Sequence, residues 1–228
     1  MLNIKIRCSN CFLKIACGAD FKGTKVPCPA CKQSITIPAP YYNIGTDING
    51  FHIEQWLGNG AMAEVYLAKQ VSIDRDVALK VLTEQDLNNE EDSQRFVEEV
   101  KNLSNLNHPN IVSAIEAGIY EGNAYLAMEY INGITIEDKV NMEGNLSENQ
   151  ALKVCDTIAD ALDHAWKKCK LIHRDLKPAN FMIDKEDKVH LMDLGIAKRA
   201  DENKDLTAIG IVMGTPYYMS PEQAKGIK

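Results

Sequence analysis

The sequence predicts an α+β protein with a small cysteine-bound module at its front, and three observations carry that reading. Two C-x2-C pairs crowd the first 31 residues. Residues 51–82 alternate apolar and polar side chains around glycine breaks, the pattern of paired strands. Between Ser147 and Cys169 the apolar residues recur at helical spacing instead. A chain of 228 residues holds one large domain, or an ordinary domain plus a small one. Its 45% hydrophobic and 25% charged residues are those of a soluble globular protein. No apolar run is long enough to cross a bilayer, and "MLNIKIRCSNC" lacks the apolar core of a signal peptide. The expectation is a cytoplasmic protein with no membrane segment in this chain.

The net charge of −7 is unevenly spread: residues 1–40 carry six Lys or Arg against one Asp, so the acid excess lies in the remainder. A long acidic surface argues against nucleic acid as the partner of the whole chain.

The front module comes first in the chain. Cys8 and Cys11 form one pair, Cys28 and Cys31 the other, with sixteen residues between them. Two residues between thiols let each pair wrap a tight turn around one metal ion, and the longer gap folds as a hairpin that joins the pairs into a tetrahedral S4 site. Thiolates of this kind favour zinc, with iron as the substitute. A segment this short has too little core to fold alone, so the metal supplies most of its stability. Four protein ligands leave no open position, which makes the metal structural and the module a scaffold or recognition element with an unspecified partner. Two redox dithiols are the alternative. Cys17 is left over as a semi-buried thiol, and Cys155 and Cys169 belong to the distant helix as reduced thiols; the uneven placement suits a reducing compartment better than a disulfide framework. The stretch resembles the small zinc ribbons at the front of some bacterial regulatory proteins, including the "CPAC" knuckle and the closing "ITIPAP". The ribbon is assigned to 1–40. A linker follows at 41–49, because "PAPYYNIGTDIN" has Pro, Gly and Asn without periodicity.

Next, "FHIEQWLGNGAMAEVYLAKQ" reads as strand, glycine break at Gly58 and Gly60, and strand again. Such a turn lets backbone N–H groups approach phosphate oxygens, although a plain hairpin turn needs glycine too. The following strand, "DVALKVL", puts Lys80 inside an apolar run, where a cation is costly unless paired. A helix follows in "EEDSQRFVEEVKNLSNLNHPN", with Phe96, Val100 and Leu103 on one face, and both Glu98 and Glu99 are available to neutralise the lysine. Glycine-rich hairpin, "VALK", "RFVEEV" and "HPNIV" together resemble the small lobe of a protein kinase, with eukaryotic-like (Hanks-type) bacterial Ser/Thr kinases the nearest pattern. Ala63 departs from the family's third glycine. The resemblance implies a protein-kinase-like two-lobe fold, with a β-rich small lobe and hinge at 50–132 and part of a helical large lobe at 133–228. It selects Glu99 as the partner of Lys80. It places ATP against Leu57, Gly58, Asn59, Gly60, Val65, Ala78, Lys80 and Met182, with Met128 as gatekeeper and Glu129 to Ile131 facing adenine.

"LIHRDLKPANFMID" is the most specific stretch. Phosphoryl transfer to a hydroxyl needs a carboxylate near that hydroxyl, a cation near the moving phosphate and oxygen ligands for Mg2+. Asp175, Lys177 and Asn180 supply these within six residues, with His173 as a packing residue. In "VHLMDLGIAK", Asp193-Leu194-Gly195 matches the family's metal-binding triplet with Leu for Phe, so that Asn180 and Asp193 are expected to bind magnesium. Ahead of the loop, Ser147 and Gln150 predict a capping box, and Ala151, Val154, Ile158, Ala161, Leu162 and Ala165 the buried face of the helix it starts. Lys177 and Thr215 match the Ser/Thr class rather than the Tyr class. Thr207 is the expected phosphorylation site of an activation segment, with Arg174 pairing its phosphate.

"SPE" at 220–222 matches the family's Ala-Pro-Glu, and only six residues follow Glu222. The expectation is a fragment of a longer kinase that is marginally stable, aggregation-prone or dependent on a partner, with apolar faces on the 147–169 helix and the activation segment lacking partners. Two functions are open: an ATP- and Mg2+-dependent kinase acting on protein Ser/Thr hydroxyls in bacterial signalling, or a catalytically impaired, partner-recruiting nucleotide-binding module.

Overall fold

The computed structural model describes residues 3–8, 10–11, 13–18, 21, 23–37, 39–59, 63–82, 93–94, 96–98, 100, 106–173, 175–193 and 215–225. They belong to two compact units, Met1–Ser93 with Gly118–Tyr130, and Gln94–Ala117 with Ile131–Lys228.

In the first unit the front module is two antiparallel hairpins. β1 (Asn3–Arg7) pairs with β2 (Lys14–Gly18), and β3 (Lys25–Pro27) with β4 (Ser34–Thr36). The expected hairpin between the cysteine pairs is replaced by one hairpin per pair, because each C-x2-C makes its own turn. The two turns match: Cys8 N–H donates to Leu13 O at 2.9 Å and Cys28 N–H to Gln33 O at 2.8 Å. Their small core is Cys8, Cys28 and Ile35, with Ile6, Ile15, Val26 and Cys31 packed against it.

The rest of this unit belongs to a six-stranded sheet, of which residues 114–117 group with the second unit. Its strands are β5 (Asp47–Ile48), β6 (Phe51–Asn59), β7 (Ala63–Gln70), β8 (Arg75–Leu82), β9 (Ala114–Tyr120) and β10 (Asn123–Glu129), in the order β5-β6-β7-β8-β10-β9. Pairing from β5 through β10 is antiparallel. Residues 41–49, expected as a linker, are part of this body. β5 pairs with β6, Ile48 is fully buried and Tyr42 nearly so. Tyr42 and Ile48 gain more from covering the sheet than Gly45 gains from conformational freedom.

The second unit is built on α2 (Glu148–Cys169), which follows the shorter α1 (Ile136–Glu143). Ser147 caps α2 in a full capping box with Gln150, as the sequence predicts. Val154, Ile158, Ala161 and Ala165 form its buried stripe, and they pack with Leu106, Ile111, Ile136, Leu171, Val189 and Leu191. A three-stranded sheet follows, with β11 (Gly133–Thr135), β12 (Phe181–Asp184) and β13 (Val189–Leu191) in that order. The expected single boundary near 132 is incomplete: residues 94–117 group with this unit, because Leu106 and Ile111 bury in its core and Asn110 Nδ2 donates to Val189 O at 2.7 Å. Met142, Leu152, Trp166 and Ile172 are large apolar side chains left exposed here. No helix among the described residues is long and apolar enough to cross a membrane.

Candidate functional site

Register places four of the expected nucleotide residues together. Lys80 lies opposite Val65 on one side and Leu126 on the other; Ala78 lies opposite Leu67 and Met128. Directly opposed residues share a face of a sheet, and so do residues two apart on a strand. Val65, Ala78, Lys80 and Met128 therefore project from one face. The other face carries Tyr66, Val77, Leu79, Val81 and Ala127, all fully or almost fully buried. Burial of that second face fixes the register, since a one-residue slip would drive Lys80 into it. Gly58 opposes Val65 while Trp56 opposes Tyr66, so Leu57 is the extra residue of a bulge. Such a bulge re-aims the strand next to the glycine turn. Asn59 opposes Glu64 at the strand ends; Gly60 lies outside the described residues.

In the second unit, the loop after α2 gathers its polar groups around one carboxylate. Asp175 Oδ2 is 3.0 Å from Lys177 Nζ. Asp175 Oδ1 accepts from Thr215 N–H at 3.1 Å and from Thr215 Oγ1–H at 3.0 Å, and Lys177 Nζ donates to Thr215 Oγ1 at 3.2 Å. Asn180 is buried and braces the loop: its Nδ2 donates to Asp175 O at 2.7 Å, its N–H to Lys177 O at 2.9 Å, and its carbonyl accepts from Met192 N–H at 2.9 Å. His173 is buried too, and burial pushes its imidazole below its ordinary range. As the neutral ring, it accepts at Nδ1 from Asp175 N–H (3.4 Å) and donates from Nε2 to Met192 O (3.1 Å). His173 is thus a strut between Asp175 and the residue before Asp193. Asp193 itself is exposed and takes a left-handed backbone with φ of 50°, a conformation Asp tolerates better than most residues. Met182 sits in β12 opposite Thr135 and His190. Glu129 ends β10 exposed, and Ile131 is buried in the second unit.

The arrangement sets a carboxylate beside a cation on a loop whose polar groups brace one another. A sequence model of the protein kinase domain matches residues 51–227. The chain belongs to the protein kinase domain family. Among curated relatives, the Ser/Thr-protein kinase PrkC of Bacillus subtilis is 38% identical over 184 residues, covering 80% of this chain and 28% of PrkC. Pkn3 of Myxococcus xanthus is 40% identical, over 77% of this chain and 34% of its own length. PknB of Mycobacterium tuberculosis is 39% identical, over 77% and 29%. The chain therefore spans about a third or less of these relatives. Among solved structures, the kinase domain of Mycobacterium tuberculosis PknI is similar with a TM-score of 0.65 and 28% identity, over 82% of this chain and 70% of that one.

Within the kinase domain, Glu99, Arg174 and Thr207 lie outside the described residues. Thr215, read from the sequence as a class marker and regulatory position, has its hydroxyl on the Asp175 carboxylate. A separation of 40 residues hides this contact from any local pattern.

Ahead of the kinase match, the four cysteines of the front module converge. Their sulfurs all lie within 4.8 Å of one another, with Cys8–Cys31 at 3.6 Å and Cys11–Cys28 at 3.5 Å. Four thiolates about 2.3 Å from a zinc ion at tetrahedral angles stand about 3.8 Å apart, so the set fits that metal. Hydrogen bonds from Asn10 and the Gln33 backbone bring the Cys31 thiol down to about 6, whereas, against a bond from the Leu13 backbone, desolvation and the neighbouring sulfurs push Cys11 up to about 12. Cys17 is half-buried in β2 and in no disulfide.

Proposed function

We propose that this chain carries the catalytic centre of a bacterial serine/threonine protein kinase, which moves the γ-phosphate of ATP to a protein Ser or Thr hydroxyl. The observation that carries this is the Asp175–Lys177–Thr215 cluster on a loop braced by Asn180. Asp175 orients the acceptor hydroxyl and takes its proton as the hydroxyl oxygen bonds to the γ-phosphorus. The bond from that phosphorus to the bridging oxygen breaks, and ADP leaves with the electron pair. Lys177 offsets charge on the group in transfer, and Lys80, backed by Glu99, holds the phosphates. Asn180 and Asp193 would hold magnesium, which when bound neutralises phosphate charge. Leu57, Gly58, Asn59, Gly60, Val65, Ala78, Met128, Glu129, Ile131 and Met182 complete the ATP site.

Transfer of label from ATP to a generic basic protein tests this, with Asp175→Asn as the control. Loss of a general base predicts a fall of about 10²–10⁴-fold. Equal labelling by both proteins would leave only a nucleotide-binding or partner-recruiting module.

For the front module we propose a structural zinc ion on Cys8, Cys11, Cys28 and Cys31, which suits the reducing conditions of a cytoplasm. Native mass spectrometry of the whole chain should show one zinc, absent from Cys28→Ser.

A further inference from the structure

The sheet face opposite Lys80 carries a contact that phosphoryl transfer does not use. β4 leads into Ile37, fully buried, whose N–H donates to Thr24 O at 2.8 Å and whose carbonyl accepts from Gly23 N–H at 2.9 Å. A short way along the chain two successive backbone donors reach β7. Tyr41 N–H donates to Glu64 Oε2 at 2.8 Å, and Tyr42 N–H to Tyr66 Oη at 3.0 Å. The Tyr66 hydroxyl donates to the same Glu64 carboxylate and closes the ring of bonds. Burial and that carboxylate hold the Tyr66 phenol far above its ordinary range, so it remains a neutral donor. Tyr42 is 6% exposed; its hydroxyl donates to Tyr120 O at 3.4 Å and accepts from Asn123 Nδ2 at 3.1 Å. Its ring meets Tyr120 edge-on at 5.8 Å.

The strap therefore joins the cysteine module to the first residues of β7. Glu64 is the neighbour of Val65, which lies opposite Lys80 on the nucleotide face. Backbone that displaces Glu64 displaces Val65 with it.

We propose that the Tyr41–Tyr42 strap couples the cysteine cluster to β7, so that loss of the cluster's metal weakens nucleotide binding by the kinase domain. The inference rests on the zinc and kinase readings above. A module of this size keeps its fold only while the metal holds its four ligands. Once it unravels, the strap's two N–H donors are no longer delivered to Glu64 and Tyr66 by an ordered tether, and their effective concentration there falls.

The test uses the full chain with zinc and after chelation, and takes three readings: bound zinc by native mass spectrometry, amide hydrogen exchange over residues 51–59 and 63–70, and Mg-ATP affinity by calorimetry. Removing zinc from the wild type is expected to speed exchange in those strands and to weaken Mg-ATP binding on the order of tenfold. Tyr66→Phe keeps the ring but removes the acceptor for Tyr42 N–H. It should retain zinc yet show the fast exchange and weak binding with or without it. Glu64→Gln, at a half-buried position, is the second variant and should fall between. A wild type that binds one zinc and shows unchanged exchange and affinity after its removal would overturn the coupling and leave the zinc reading standing. A chain that takes up no zinc overturns both. Zinc-dependent exchange without any Mg-ATP binding overturns the kinase reading and the nucleotide half of the coupling.

Discussion

Asp175 shows how few side chains hold one carboxylate in place. Its two oxygens take donors from Lys177 and Thr215, and the constraint on its orientation is what each substitution should loosen. Thr215→Val removes the hydroxyl and keeps the backbone donor. A hydrogen bond to a charged group contributes about 1.5–3 kcal/mol, so kcat should fall by about ten- to a hundredfold, while Thr215→Ser stays near wild type in the same assay. His173 sets a pH dependence. Its folded pKa lies below the ordinary 6.5, so below that value the unfolded chain binds a proton that the folded chain refuses. Stability is complete above about pH 6.5 and falls as the pH drops through it. Melting temperatures between pH 8 and pH 5 should decline less steeply in His173→Gln than in the wild type. At Thr207, alanine should lower activity if its phosphate pairs with Arg174; full activity in Thr207→Ala would remove that role.

At the scale of elements, α2 and β11 each depend on one terminal residue. The Ser147 cap satisfies an otherwise unpaired N–H in the first turn of α2. Ser147→Ala should cost about 1 kcal/mol, read as a lower urea midpoint at unchanged slope. In β11, Gly133 opposes Asp184, and a Cβ there would run into the backbone carbonyl of Ile183. Gly133→Ala must therefore push β11 off β12, with a cost of about 1–3 kcal/mol in the same titration. His190, buried in β13, reaches Asp184 Oδ2 at 2.7 Å, while Asp184 Oδ1 accepts from Glu186 and Lys188 N–H and so closes the β12–β13 turn.

For the molecule as a whole, two kinds of stabilisation operate. The six-stranded sheet and the α2 unit are held by buried apolar area, whereas the front module has only a small core beside its four clustered thiols. With the proposed zinc on those thiols, chelation should abolish protection in residues 3–37 while the α2 core keeps its slow-exchanging amides, a contrast that hydrogen exchange reads directly. Loss of protection in both regions together would mean that the thiols hold more than the module.

The sequence by itself determined the elements whose cause is local. Alternation and β-branched residues specify β6 to β8, the 3.6-residue stripe specifies α2, Ser147 and Gln150 specify its start, and paired C-x2-C specifies the thiol cluster. The motif series from Gly58 to Asp193 identified the kinase family because its order along the chain is itself information. Only the tertiary structure decided what depends on distant residues meeting. It brought Thr215 onto Asp175, turned the residues read as a linker into a strap hydrogen-bonded to Tyr66 and Glu64, and carried residues 94–117 into the second unit. Each of these contacts joins side chains whose separation along the chain has no bearing on their energy, so no local period encodes them. Packing selects them, because each buries an apolar side chain or pairs a polar group that would otherwise lose its water.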